Sequence, residues 1–214
     1  MSADPSVRHG VLAQVTARPV IDGDWLMAEI AAIAAIGATA QGGVERIAYG
    51  EADLLARDHV EHRMRALGMQ VARDAAGNSV GRLPGLQADL AAIATGSHTD
   101  SVPDGGHYDG VLGVTAGLAA IEAMVRAGYR PRHPVEVINF AAEEGALAGG
   151  TFGSRAMAGI SVEKSLADTS FDGTPVSAHL RRAGIDPATV ANARRAPGTL
   201  AAFFELHIEQ GGEL

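Results

Sequence analysis

Imidazoles and carboxylates recur at the ends of three apolar runs in this sequence. His98, Asp100 and Asp109 fall in a glycine-rich stretch, 94–110; Glu143 and Glu144 close the run 135–142; His207, Glu209, Gln210 and Gly211 follow the run 200–206. Nitrogen and oxygen donors gathered where strands end are what a hydrolase needs to hold a divalent metal ion. His98 can give one ring nitrogen to a metal while Asp100 accepts the other ring N–H and fixes the imidazole. Standing alone, such a pair is more often a surface hydrogen bond. Asp109 has two readings of equal weight. Its two oxygens can bridge a pair of cations about 3.5–4 Å apart, or it can cap a helix beginning near Gly110.

Adjacent carboxylates at the end of a buried strand repel each other and lose hydration. A cation beside Glu143 and Glu144 removes that difficulty: one carboxylate ligates, and the other is free to take a proton from an attacking water. Two solvated residues at a strand end are the plainer alternative. His207 suits a metal, with a buried, merely hydrogen-bonded histidine as the alternative, and it shares a face with Glu209 if the strand runs on. Gln210 offers both a donor and an acceptor to an amide-like substrate.

Other signals fail on context. Gly77-Asn-Ser-Val-Gly81 has the spacing of a serine-hydrolase elbow, but Arg82-Leu-Pro-Gly85 follows it where a helix is required. Gly145-Ala-Leu-Ala-Gly-Gly150 follows a strand without the Gly-Lys-Ser/Thr ending of a phosphate loop, so it is read as letting backbone pass close to the metal ligands. His107 is placed at the mouth of the site. His9, His59, His62, His133 and His179 are assigned surface or structural roles.

The elements that must position these groups follow from periodicity and punctuation. Asp24 as N-cap and Gly37 as stop delimit a helix over 25–36, and a second covers 51–67, with Leu54, Leu55, Val60, Met64 and Leu67 on its apolar face. A strand pair is expected at 69–73 and 79–83, turning through 75–78. The near-continuous apolar runs 90–95, 135–140 and 200–206 suit buried strands. They alternate with helices at 111–127, around 151–157 and at 176–183, and 186–198 forms a short helix and loop. The fold class is therefore α/β, a largely parallel mixed sheet flanked by helices, with ligands collecting outside the carboxyl ends of the strands.

Composition narrows the function. The 214 residues carry 17 Lys and Arg against 25 Asp and Glu, a formal charge of −8 with no basic cluster, so nucleic acid is not an expected partner. The absence of cysteine excludes disulfides, thiolate ligands and a cysteine nucleophile. The longest apolar stretch, 111–121, falls far short of the roughly 20 residues of a membrane helix. The first twenty residues lack an apolar core of signal-peptide length, which gives the expectation of a cytoplasmic protein with no membrane partner.

With these residues in hand, the chain resembles the N-terminal half of the M20-type metal-dependent amidohydrolases. The match is to the hydantoinase/carbamoylase branch, which includes N-carbamoyl-L-amino-acid hydrolases, allantoate amidohydrolases and β-ureidopropionases. The resemblance is carried by 96–110, by Phe140-Ala-Ala-Glu-Glu-Gly145 and by Glu205-Leu-His-Ile-Glu-Gln-Gly211, with support from 74–85. It implies an N-terminal segment at 1–23 and the first part of a catalytic domain at 24–214. It further implies two divalent cations, Zn²⁺ or Mn²⁺ with Co²⁺ also accepted. His98, Asp109 and His207 would hold one, and Asp109 and Glu144 would contribute to the second. Glu143 would be the general base, Asp100 the orienter of His98, and Gln210 a contact to a small ureido substrate. The reaction implied is hydrolysis of a carbamoyl C–N bond, releasing ammonia and carbon dioxide. Members are about twice this length, so the chain is expected to be a fragment, inactive if a further histidine ligand and a lid lie outside it, whose full-length parent is a homodimer. Peptide or N-acyl amide cleavage, and a non-catalytic metal-binding product, are the alternatives.

Overall fold

The structure, a computed structural model, describes residues 18–210. The expectations for 1–17, His9 among them, and for Gly211 lie outside the described residues.

Helix α1 (Gly23–Ala34) starts two residues earlier than expected, because Asp22 in extended conformation accepts the Trp25 N–H at 3.0 Å, leaving Asp24 in the first turn. Helix α2 (Glu51–Ala66) opens with Glu51 and Asp53, a favourable charge at a helix N-terminus. Its buried face differs from the apolar one expected: Leu55 is exposed, whereas Asp53, Arg57 and Glu61 are buried beside Val60 and Met64. The hairpin β1 (Gln70–Arg73) and β2 (Ser79–Leu83) turns where expected. Asp74 holds the turn by accepting the backbone N–H groups of Ala76 and Asn78. Ser79, inside the elbow-like spacing, donates to Glu61 and stays away from the site.

Three strands carry the chemistry: β3 (Ala92–His98), β4 (Val135–Phe140) and β5 (Leu200–Phe204). The sheet order is β1-β2-β4-β3-β5. β3 runs parallel to both β4 and β5, whereas β2 pairs antiparallel with β4 and β1, so the mixed sheet is parallel where the ligands lie. β3 extends three residues beyond the apolar run because Gly96, Ser97 and His98 continue the ladder opposite Ile138, Asn139 and Phe140. Gly96 permits this, since a Cβ there would stand 2.0 Å from the Ile138 carbonyl oxygen. β5 departs most from expectation. It ends at Phe204, pairs with β3 along one side, and leaves Phe204 63% exposed and Phe203 40% exposed, so it is a half-covered edge. The alternation that would set His207 and Glu209 on one strand face therefore does not reach them.

Both faces of β4 are covered, as its unbroken apolar sequence requires. Val137 joins Ile33 of α1, Val60 and Met64 of α2, and Val114, Leu118 and Ile121 of α3 (Val111–Arg126). Ile138 and Phe140 point the other way, toward Met157 of α5 (Phe152–Ala158). The remaining segments, α4 (Gly145–Ala148), α6 (Glu163–Leu166), α7 (Val176–Arg182) and a 3₁₀ helix at Pro187–Ala193, surround a second core containing Tyr49, Phe152 and Leu180.

Two buried arginines tie the strand ends down. Arg57 donates to the Phe140 carbonyl at 2.9 Å and to the Gly77 carbonyl at 3.1 Å, and pairs with Asp53 at 3.0 Å. Burial disfavours its charge, but the Asp53 and Asp100 carboxylates more than offset that and hold the guanidinium above its ordinary value. Arg46 donates to the Thr99 carbonyl at 2.6 Å, one residue beyond the end of β3.

Candidate metal centre

All but one of the ligand-type residues emerge where a parallel strand gives way to loop; Asp109 lies before a helix. His98 is the last residue of β3, Asp109 precedes Gly110, the N-cap of α3, Glu143 and Glu144 follow β4, and His207 and Gln210 follow β5. One ligand atom each from His98, Asp109 and His207 lies within 4.8 Å of the other two. The structure thus brings together with His98 residues 11 and 109 positions away from it in sequence. Asp109 does not cap α3: Gly110 takes that position at φ 63°, and no side chain caps the helix.

The hydrogen bonds fix the imidazole tautomers. His98 Nδ1 is 3.0 Å from the Asp100 backbone oxygen, and His207 Nδ1 is 2.9 Å from the Ile208 backbone oxygen. A carbonyl oxygen can only accept, so both Nδ1 atoms carry the hydrogen and, in neutral rings, both Nε2 atoms present lone pairs. Those lone pairs face Asp109 Oδ1, at 3.9 Å from His98 and 3.3 Å from His207. Asp109 Oδ1 is buried and has no hydrogen-bond partner. Three acceptors converge with no donor among them, a costly arrangement that a cation satisfies. The cluster is a candidate site for a divalent metal ion.

Asp100 acts differently from expectation. Its backbone oxygen, and not its carboxylate, accepts the His98 ring N–H; the nearer carboxylate oxygen is 3.7 Å away. The carboxylate instead accepts the backbone N–H groups of Glu143 at 3.3 Å and Glu144 at 3.0 Å, joining the ends of β3 and β4. Glu143 accepts from the Ser154 N–H at 2.8 Å and the Ser154 hydroxyl at 2.9 Å. Burial pushes its carboxyl above the usual range, with the Ser154 hydrogen bonds acting against that. Glu144 is raised as well, first by burial and then by the facing Asp109 carboxylate. It stands next to the trio without being part of it.

Glu143, Glu144 and Gln210 line one cavity of about 470 Å³ with His98 and His207. Gln210, expected to contact substrate, donates its amide to Asp109 Oδ2. His107, expected at the mouth, lies 2.9 Å from the Gly42 carbonyl instead. Three contributors were missed in the sequence: Thr151 and Glu205, which line the cavity, and Ser154, which holds Glu143. Glu205 opens the segment 205–211 that carries the resemblance, but no role follows from that; no motif marks Thr151 or Ser154. Thr151 and Ser154 arrive because the backbone at 151–153 folds back on that at 141–143 through the Thr151 N–H to the Glu143 carbonyl at 2.9 Å and the Gly153 N–H to the Ala141 carbonyl at 2.8 Å.

Gly110 packs directly against the His98 ring. A Cβ there would fall 2.5 Å from His98 Nε2, at a φ of +63° that side chains rarely adopt. Gly110→Ala is expected to displace the His98 ring and weaken Zn²⁺ binding by about 10- to 100-fold in calorimetry. Unchanged affinity would show that the ring takes no part in holding the ion.

Comparison with known proteins places this geometry. A family model described as Peptidase family M20/M25/M40 matches residues 94–214, a span that contains every candidate site residue. An N-carbamoyl-L-amino acid amidohydrolase from Geobacillus stearothermophilus is 40% identical over 193 residues, covering 90% of this chain and 47% of that protein. A ureidoglycolate hydrolase from Oryza sativa subsp. japonica is 38% identical over 89% of this chain and 40% of its own length. Among solved structures, a hydantoinase/carbamoylase family amidase from Burkholderia ambifaria superposes with a TM-score of 0.80 at 38% identity, over 90% of this chain and 46% of that one. The chain spans about half the length of the curated relatives it matches. Among the described residues, no helix is long and apolar enough to cross a membrane.

Proposed function

The chain belongs to the M20/M25/M40 peptidase family, and from that premise we propose that it carries the site of a metal-dependent amidohydrolase acting on N-carbamoyl amino acids or related ureido compounds. The observation that carries the reading is the convergence of two imidazole lone pairs on the partnerless Asp109 Oδ1. His98, Asp109 and His207 would hold one divalent cation. Asp109 and Glu144 would contribute to a second, whose charge would relieve the repulsion between their carboxylates. Zn²⁺ and Mn²⁺ suit this nitrogen and oxygen donor set, and Co²⁺ is also compatible.

Bound there, a divalent cation supplies Lewis acidity, polarising the scissile carbonyl and acidifying water. Glu143 is the group that takes the proton from the attacking water and returns it to the departing nitrogen. Its raised pKa suits both halves of that transfer. Asp100 is a positioning residue, holding His98 through its carbonyl and the Glu143–Glu144 backbone through its carboxylate. Gln210 lines the cavity where the substrate's amide would sit and steadies Asp109.

The test is a calorimetric titration with Zn²⁺ and Mn²⁺, followed by turnover assays on N-carbamoyl amino acids beside dipeptides and N-acyl amino acids. Metal binding with ammonia release from the carbamoyl compounds alone is the expected result. Cleavage of dipeptides or acyl amides alone would favour a peptidase or deacylase, and metal binding without any turnover would favour a non-catalytic product.

A further inference from the structure

Beside the metal-centre cavity lies a second, of about 540 Å³, with Glu143, Thr151 and Glu205 lining both. The character of the wall changes across Glu143. On the far side the floor is the sheet face formed by Ile138, Phe140, Leu200 and Phe203, with Met157 of α5 over it. The Phe140 and Phe203 rings stand 5.8 Å apart and tilted by 60°, an aromatic pair that can take a further ring or branched chain against it. Arg195 at the rim is already engaged, bonded to Glu136 at 2.6 and 3.2 Å. Arg194, exposed, packs along Gly159.

Resting on the amidohydrolase reading, we infer that this cavity receives the substrate's side chain and selects N-carbamoyl amino acids bearing a bulky apolar group. A substrate with its carbamoyl carbon within reach of Glu143 must direct the substituent on its α-carbon to one side. The space reached by crossing Glu143 is walled mainly by hydrocarbon, with Ser154, Thr199 and Arg194 also in its lining, and its volume is in the range of small-molecule sites. A polar group pressed against the Ile138, Phe140, Leu200 and Phe203 side chains would lose hydration without hydrogen bonds from that floor in return. The relatives include both an N-carbamoyl amino acid hydrolase and a ureidoglycolate hydrolase, and the apolar wall favours the first chemistry for this chain. Burial of an aromatic ring against these walls corresponds to about a 10- to 100-fold gain in affinity over a substrate with only hydrogen at that position.

The experiment measures binding by calorimetry and ammonia release for N-carbamoyl-L-phenylalanine, N-carbamoylglycine and allantoate on the Mn²⁺-loaded chain. Two variants accompany it: Ala158→Trp, which fills the cavity from the exposed end of α5, and Phe203→Ala, which removes a half-exposed wall on the edge strand. The phenylalanine compound is expected to bind about 10- to 100-fold more tightly than the glycine compound. Both variants are expected to erase that margin while leaving N-carbamoylglycine unaffected. Equal binding of the three, or a margin indifferent to both variants, overturns the inference while ammonia release preserves the amidohydrolase reading. A margin erased by the variants but without ammonia release supports the cavity's role and overturns that reading. Binding of none overturns both.

Discussion

Glu143→Gln is expected to cut ammonia release by about 10²- to 10⁴-fold, the range lost when a general base is removed, while the chain binds metal as before. The two effects separate because of where the carboxylate is. Glu143 lines the cavity but lies outside the trio of His98, Asp109 and His207. Ser154 grips it through a backbone N–H at 2.8 Å and a hydroxyl at 2.9 Å. A glutamine keeps the shape, and its carbonyl oxygen can accept one of those hydrogen bonds, but the amide has no basicity with which to take a proton from water. Steady-state rates and calorimetric metal stoichiometry on the same sample decide the matter. Undiminished turnover would remove Glu143 from the role, and lost metal would reassign it as a ligand.

The second large effect is structural. Arg57→Ala is expected to lower unfolding free energy by about 3–5 kcal/mol, the cost of breaking a buried pair and stranding its partner. Asp53 and Arg57 are both essentially inaccessible to solvent, so the carboxylate left behind cannot regain water. The loss is also directional: the Phe140 and Gly77 carbonyls lose their donor together, and Phe140 stands three residues before Glu143. Denaturant titration measures the change. A loss below about 1 kcal/mol, the worth of a surface pair, would mean that water reaches Asp53 in the folded protein.

These two predictions differ in how far the sequence foretells them. The ligand residues were legible because metal chemistry limits the side chains that can serve, and the apolar runs before them marked the strands. β4 and α3 lie where hydrophobic pattern and glycine punctuation put them. The ends of β3 and β5 do not, since a strand ends where its neighbour stops pairing, and that neighbour is distant in sequence. The apolar run 200–206 looked buried, yet β5 has a partner on one side alone among the described residues. The buried charges of α2 were illegible for a related reason. On a helical wheel Asp53, Arg57 and Glu61 mark a solvated face, and only the folded chain supplies the strand-end carbonyls and the Arg73 and Ser79 side chains that receive them. Ser154 carries no signal at all; its importance comes from a backbone fold-back at 151–153.

The two histidines of the trio are anchored unequally. His98 belongs to a central strand and is buried, whereas His207 lies past the end of the edge strand with 31% of its side chain exposed. An ion held by both would tether the segment after the edge strand to the end of a central one. Its binding free energy would then count toward the native state, growing with the logarithm of free ion concentration. Folding of this edge and the metal supply around it would become a single equilibrium.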